Sequence, residues 1–340
     1  MSTSVAPLPI ITRSTTLSRV AGIVALIILV ILAAAPWWGS RAELRLFGEF
    51  ATYLALASLW NLLAGYTGLV SVGQQAFVGL GGYVLFTFAQ NLGIPPLLAI
   101  PIAGVIAGLA AIPVGALVFR LQGAYFAIGT WVVAEVFRLG FAQVAALGGG
   151  SGTSLTTDIV KSISETRDGR EALVYWVSLA LGAGSVGLVY ALLRSRIGLA
   201  LTAIRDGELA SSSLGVDITR VKFLVYVLVA AVTSMVGALI FLQKLRISPD
   251  AAFSVNDWTA FVIFIVVIGG IGTIEGPIIG TLVYFVLRWY LADYGTVYYM
   301  ILGALAIVIM LFAPQGIWGL LGKRFGLSLF PVGYRVHWKS

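Results

Sequence analysis

The chain has 340 residues, of which 59% are apolar and 10% charged, and its 21 Lys and Arg against 14 Asp and Glu give a net charge of +7. Soluble domains carry about 25% charge and about 45–50% apolar residues, which sets aside a water-soluble globule, a nucleic-acid binder and a disordered chain. No charged residue occurs from Phe50 to Phe119, whereas a surface helix of a soluble protein turns a charged face to water.

The chain therefore reads as a polytopic membrane protein. Membrane-spanning segments are helices or closed barrels. Barrel strands alternate polar and apolar residues, but runs such as Val20–Ala35 are solidly apolar. The predicted fold is all-α, a transmembrane helix bundle of about ten spanning segments in one domain covering 1–340. Each span needs about 20 apolar residues. On that length the spans fall near 18–37, 44–64, 71–90, 97–119, 124–143, 172–193, 223–243, 257–272, 276–291 and 297–313. There is no cysteine, so disulfides and thiolate chemistry are absent.

The first span has no clear cleavage site after it and reads as a retained helix. The third opens with Ser71, Gln75, Gly79 and Gly82 at helical spacing, a polar and small stripe. Such a stripe lines a pathway or packs against a neighbouring helix with Gln as a bridge. On the fourth span Gly104, Gly108, Ala111 and Gly115 form a helix-contact face. In the fifth, Glu135 is the acid deepest in any span, with Arg138 three residues on. Ionisable groups at that depth are costly and commonly functional, although an i, i+3 pair also neutralises itself. Thr130 and Asn61 are weaker polar candidates.

A Gly-, Ser- and Thr-rich loop at 144–171 follows, facing outward. The segment 194–222 carries five cations, and a short helix over Ala203–Leu214 is expected there, with Ile204 and Leu214 on a shared apolar side. Near the end, Gly269-Gly270-Ile-Gly272-Thr273-Ile-Glu275-Gly276-Pro277 separates two short apolar segments. That pattern marks a broken helix near a transport site or a tight turn. Pro314 closes the last span, and 314–340 is a basic tail whose lone His337 has no metal partners.

Cations concentrate on cytoplasmic loops. With both termini cytoplasmic, the inner loops hold 12 cations and four acids, a balance of +8 against −1 for everything else.

Five blocks carry a resemblance to a known family. They are Gly68-Leu-Val-Ser-Val-Gly-Gln-Gln-Ala-Phe-Val-Gly-Leu-Gly-Gly-Tyr83, Arg120-Leu-Gln-Gly-Ala-Tyr-Phe-Ala-Ile-Gly-Thr130, the segment Arg194–Asp217, Val267-Ile-Gly-Gly-Ile-Gly-Thr-Ile-Glu-Gly-Pro277, and Pro314-Gln-Gly-Ile-Trp-Gly-Leu320. In this order, over about 45–322, they resemble the LivM-like branched-chain amino-acid permeases of bacterial ABC importers. The resemblance implies a translocation subunit in the bacterial inner membrane that is not itself an enzyme. It implies two ATP-binding cassette subunits that use the ATP, a second homologous permease forming a heterodimer, and an extracytoplasmic substrate-binding protein. No cofactor is expected in this chain, and no nucleic acid.

The same resemblance assigns Arg205, Asp206, Glu208, Ala210 and Gly215 to a helix that seats in the ATPase, and favours Ser71, Gln75, Gly79, Thr130 and Glu135 as pathway residues. The chain lacks a nucleotide-binding G-x-x-x-x-G-K-[ST] motif, since Gly322-Lys323 has Ile317 where the first glycine belongs. Two departures stand out: Glu275 occupies a position often large and apolar in the family, and the loop Leu147–Ser154 lacks the family's usual Asn. Members carry Leu, Ile and Val, while others carry urea, amides or organic acids. The competing reading is a self-contained secondary transporter or channel for a small solute.

Overall fold

The structure, a computed structural model, describes residues 9–12, 16–325, 329–332 and 335–338. Arg13 and Lys339, two cations assigned to the inner face, lie outside the described residues, as does part of the basic tail.

The helices follow the apolar segments in chain order. They are α1 (Thr16–Ala33), α2 (Arg41–Asn61), α3 (Gln74–Asn91), α4 (Pro96–Val118), α5 (Ala124–Ala142) and α6 (Arg167–Arg194). After them come α7 (Arg196–Asp206), α8 (Glu208–Ser213), α9 (Ile218–Lys244) and α10 (Phe261–Gly269). The last three are α11 (Glu275–Leu291), α12 (Thr296–Phe312) and α13 (Gly316–Phe325).

Among the described residues, seven helical stretches are long and apolar enough to cross a membrane. Every other predicted span is present as a helix: α1 and α11 are shorter, while the Gln- and Gly-bearing α3 is less apolar. Most of α3 is buried inside the bundle. It meets protein rather than lipid along most of its length, which relaxes the demand for apolar side chains.

Local chemistry sets several ends. Ser40 and Glu43 form a reciprocal capping box at the start of α2, with Ser40 N donating to Glu43 Oε2 at 2.6 Å. Asp217 caps α9 by accepting from Arg220 N at 3.0 Å. The prediction that a span begins at 257 is corrected. That stretch starts at Pro249 with a helical turn, passes through a π turn over Asn256–Ala260, and continues into α10. Asp250, Asn256 and Asp257 hide its start from a reading based on apolar runs.

Packing is governed by small residues. Helix α9 crosses both α3 and α4 at the centre, while α2 lies along α6 and α10 along α11. A Cβ on Gly81 would sit 2.0 Å from Ser234 O, and one on Gly237 would sit 2.2 Å from Val78 O, so α3 and α9 touch backbone to backbone. The small-residue face of α4 meets α9 as expected, with Gly104 against Met235 and Gly115 against Phe223.

The 144–171 loop is more ordered than a linker. It contains short 3-10 turns, a helical turn at Thr157–Lys161, and a strand Thr153–Ser154 paired antiparallel with Arg246–Ile247. A second strand pair joins Pro9–Thr12 to Arg335–Trp338, which brings the two chain ends together.

Candidate functional site

Two regions gather the predicted residues. The first is internal, where α3 meets α5 and the Pro249–Gly269 stretch. Ser71 precedes α3 rather than opening it; its carbonyl accepts from Trp60 Nε1 at 2.8 Å, and its hydroxyl accepts from Gly73 N at 3.2 Å. Thr130 on α5 accepts from Val72 N at 3.1 Å and donates to Ala127 O at 2.9 Å. Gln75 is fully buried, and its Oε1 accepts from the hydroxyl of Thr259 in the π turn. Its Nε2 has no hydrogen-bond partner among the described residues. Gly79 faces Phe253, whose ring lies 2.3 Å from where a Cβ would stand. Phe253 in turn stacks on Phe141 and Tyr83, at centroid distances of 5.7 and 5.9 Å.

Ser71, Gln75, Gly79 and Thr130 are thus all buried around the first half of α3, Ser71 turned to Trp60 of α2, Thr130 to Val72, and Gln75 and Gly79 to the Pro249–Gly269 stretch, and this junction is packed rather than open in this conformation. Glu135 stands apart from it. Its carboxylate accepts from Arg138 Nε at 2.9 Å, and Arg138 Nη1 reaches Asp250 Oδ1 at 2.7 Å. All three side chains are partly or largely exposed. Sequence reasoning missed Thr259, Phe253 and Asp250, because the polar residues around them mask the helical stretch to which they belong.

The second region is a surface. The expected helix Ala203–Leu214 is in fact two helices, α7 and α8, separated at Gly207, where the backbone is extended with φ 176° and ψ 108°. Ile204 is buried while Leu214 is 82% exposed, so the two do not share an apolar side. The break separates α7, whose Leu201 and Ile204 are buried, from α8, whose Ser211 is buried. Leu209, not singled out in the sequence, is 87% exposed beside it. Both leucines are open apolar groups on a segment otherwise anchored by charge.

That anchoring is specific. Glu208 on α8 pairs with the buried Lys222 of α9. Arg205 Nη1 donates to Gly272 O at 3.4 Å, its guanidinium lies 5.6 Å from the centre of the Tyr66 ring, and its Nε is 3.6 Å from Asp206. Gly215 takes φ +83°, a conformation that favours glycine, and ends α8. Ala210 lies within α8.

Gly272 belongs to the Gly270–Ile274 turn between α10 and α11, which the side chain of Asn61 brackets. Asn61 Oδ1 accepts from Gly272 N at 2.8 Å, and Nδ2 donates to Thr273 O at 2.7 Å. Glu275 is buried and accepts from Leu329 N and Phe330 N at 3.0 and 2.9 Å, tying the tail to this face. A groove of about 710 Å³ runs between Arg205, Tyr66, Glu275, Trp318 and Phe330. No cluster of His, Asp and Glu able to hold a metal occurs among the described residues.

Comparison with known proteins identifies the family. Residues 44–311 match the family described as branched-chain amino acid transport system, permease component. The chain is 28% identical over 312 residues to the high-affinity branched-chain amino acid transport system permease protein LivM of Salmonella typhimurium, covering 85% of this chain and 73% of the relative. It is also 28% identical over 315 residues to LivM of Escherichia coli, covering 86% and 74%. The probable branched-chain amino acid transport permease LivM of Methanocaldococcus jannaschii is 25% identical over 318 residues, 83% of this chain and 91% of that one. The family match runs from within α2 nearly to the end of α12, taking in the internal junction and the α7–α8 surface but not Trp318, Leu329 or Phe330, and the chain belongs to the permease-component family of branched-chain amino acid transport systems.

Proposed function

We propose that the chain is the translocation subunit of an ATP-binding-cassette importer for branched-chain amino acids or a related small polar solute. In this reading it sits in a bacterial inner membrane with both termini cytoplasmic. It pairs with a second, homologous permease, receives solute from an extracytoplasmic binding protein, and is driven by two separate ATPase subunits that use the ATP. Membership of the family supports the assembly. The observation on this chain that carries the reading is the α7–α8 elbow, with Leu209 and Leu214 exposed on a segment fixed to the body by Arg205 and Glu208.

A route for coupling follows from the contacts. A push on α8 reaches α9 through Glu208 and Lys222, and reaches the α10–α11 turn through Arg205. Asn61 passes that turn's position to α2, whose end unwinds into a π turn over Leu62–Tyr66. Such π turns recur at functional sites. The junction of Ser71, Gln75, Gly79 and Thr130 is the proposed pathway constriction, opened when α3 and the Pro249–Gly269 stretch separate. Glu135, apart from that junction, is the proposed polar group elsewhere along the pathway.

Purification of the tagged chain from its native membrane in mild detergent tests the reading. Two ATP-binding subunits and a second permease should co-purify in fixed proportion. Leu209→Asp should release the ATP-binding subunits while leaving the chain in the membrane, and charge reversal at Arg205 and Asp206 should uncouple transport. Uptake driven by an ion gradient in ATP-free vesicles containing the chain alone would replace this reading with a secondary transporter.

A further inference from the structure

On the face opposite α7 and α8, a half-enclosed chamber of about 490 Å³ lies between α2, α6, the end of α9 and the π turn at Asn256–Ala260. That volume is in the range of small-molecule sites. Its wall includes the cations Arg45, Arg170 and Lys244 and the acids Glu49 and Glu171. The acids already have partners: Glu171 Oε1 accepts from Arg45 Nη2 at 2.8 Å, and Glu49 Oε1 accepts from Arg288 Nη1 at 2.6 Å. Lys244 and Arg170 enter no ion pair among the described residues; Asp257 and Glu49 act on Lys244 electrostatically, and the wall itself holds three cations against two acids. Lys244 Nζ is held 4.6 Å from the centre of the Trp258 ring and 5.8 Å from that of Phe241. This cation–π contact fixes the ammonium in place without neutralising it.

The backbone beside it is unusual. Leu245 has φ +57°, the one non-glycine residue with positive φ among the described residues, and it too lines the chamber. A branched side chain in that conformation is strained, and such strain gathers at functional sites. The position is held because Leu245 N donates to Phe241 O and its own carbonyl accepts from Leu155 N, both at 3.0 Å. At the other pole, the part-exposed Glu49 has its Oε2 free of any hydrogen bond among the described residues. Tyr53, Ile240 and Leu242 supply apolar wall between the charges.

We infer that this chamber binds an α-amino-acid zwitterion with an apolar side chain. Lys244 takes the carboxylate with Arg170 adding positive potential, Glu49 Oε2 takes the ammonium, and the Tyr53 and Leu242 wall takes the side chain. The inference rests on the importer reading, under which this face receives solute from outside.

The test uses the full chain in its purified complex and tritiated L-leucine as the probe. Leucinamide, which lacks the carboxylate, and 4-methylpentanoate, which lacks the ammonium, should each compete at least tenfold more weakly than unlabelled leucine. Lys244→Met should weaken leucine at least tenfold while leaving leucinamide unchanged, and Glu49→Gln should weaken leucine without changing 4-methylpentanoate. Equal competition by leucinamide and leucine in the unmutated complex, which needs no variant to fold, overturns the inference. So does a phosphatidylglycerol molecule retained in native mass spectrometry and lost in Lys244→Met with leucine affinity unchanged, since the occupant is then a lipid headgroup. ATP-driven leucine uptake by reconstituted vesicles separates the two readings. Uptake with an unchanged KM in Lys244→Met sinks the chamber alone, whereas no ATP-driven uptake by the unmutated complex sinks the importer reading with it.

Discussion

Asn61 and Gln75 are both buried amides on central helices, yet the structure gives them opposite energetic weight. Asn61 satisfies a donor and an acceptor of the Gly270–Ile274 turn at once. Removing it strands Gly272 N–H and Thr273 C=O, each costing about 1–3 kcal/mol when buried and unpaired. Asn61→Leu is expected to lower the thermal unfolding temperature of the detergent-purified chain measurably. Gln75 makes one hydrogen bond and leaves its Nε2 unpaired. In Gln75→Leu that orphan donor disappears, and the Thr259 hydroxyl can turn to a carbonyl of its own helix. Gln75→Leu is therefore expected to unfold within a degree or two of the parent while its transport rate falls at least severalfold. A large loss of stability without a specific loss of transport would mark Gln75 as packing alone.

At the scale of elements, the helices are set by how closely they approach. The α3–α9 crossing leaves no space for a methyl group at Gly81, because the obstacle is the carbonyl of Ser234 rather than a side-chain tip. Overpacking of a filled site costs about 1–3 kcal/mol, and Gly81→Ala should destabilise the chain by at least that much. On α12, a methyl group added at Gly303 would meet nothing within 4 Å, and Gly303→Ala should be neutral or gain about 0.5–1 kcal/mol from reduced backbone freedom. Denaturation of the pair side by side checks both signs. The small stripe of α4 and the charge-free run through α2, α3 and α4 were legible because apolarity and periodicity act locally. The break at Gly207 was not, since it depends on where Lys222 and Gly272 stand to receive Glu208 and Arg205. Nor was the chamber, whose charged residues Arg45, Arg170 and Lys244 come from three helices far apart in the chain. Read singly, each is only a cation at a helix end.

Across the whole molecule, contacts sort the helix ends into two faces. Tyr66, Arg205, Gly272, Glu275 and Trp318 meet around one groove. Arg45, Arg170, Lys244 and Trp258 meet around the chamber at the opposite end of α6 and α9. Gln90 Nε2 donates to Ser154 O at 2.8 Å, Arg41 Nε reaches Asp168 at 2.8 Å, and Arg288 reaches Glu49, which puts the end of α3, the starts of α2 and α6 and the end of α11 on the chamber side. Phe119 packs on Phe223 at 5.7 Å, so α4 ends where α9 begins, on the groove side. The spans from α2 to α11 thus alternate direction, as the division into apolar spans anticipated, and charge placement bears only on which face is inward. The proposed orientation, with the groove face inward, has a direct test because the chain contains no cysteine. Ser212 on α8 and Ser162 in the 144–171 loop are both exposed, and each can be replaced singly by cysteine on an otherwise thiol-free background. In intact cells whose outer membrane has been made permeable, a membrane-impermeant maleimide should label Ser162→Cys and spare Ser212→Cys. Disrupting the inner membrane should bring Ser212→Cys up to the same level. The reverse pattern would invert the orientation, placing Leu209 and Leu214 outside the cell and beyond the reach of any ATPase.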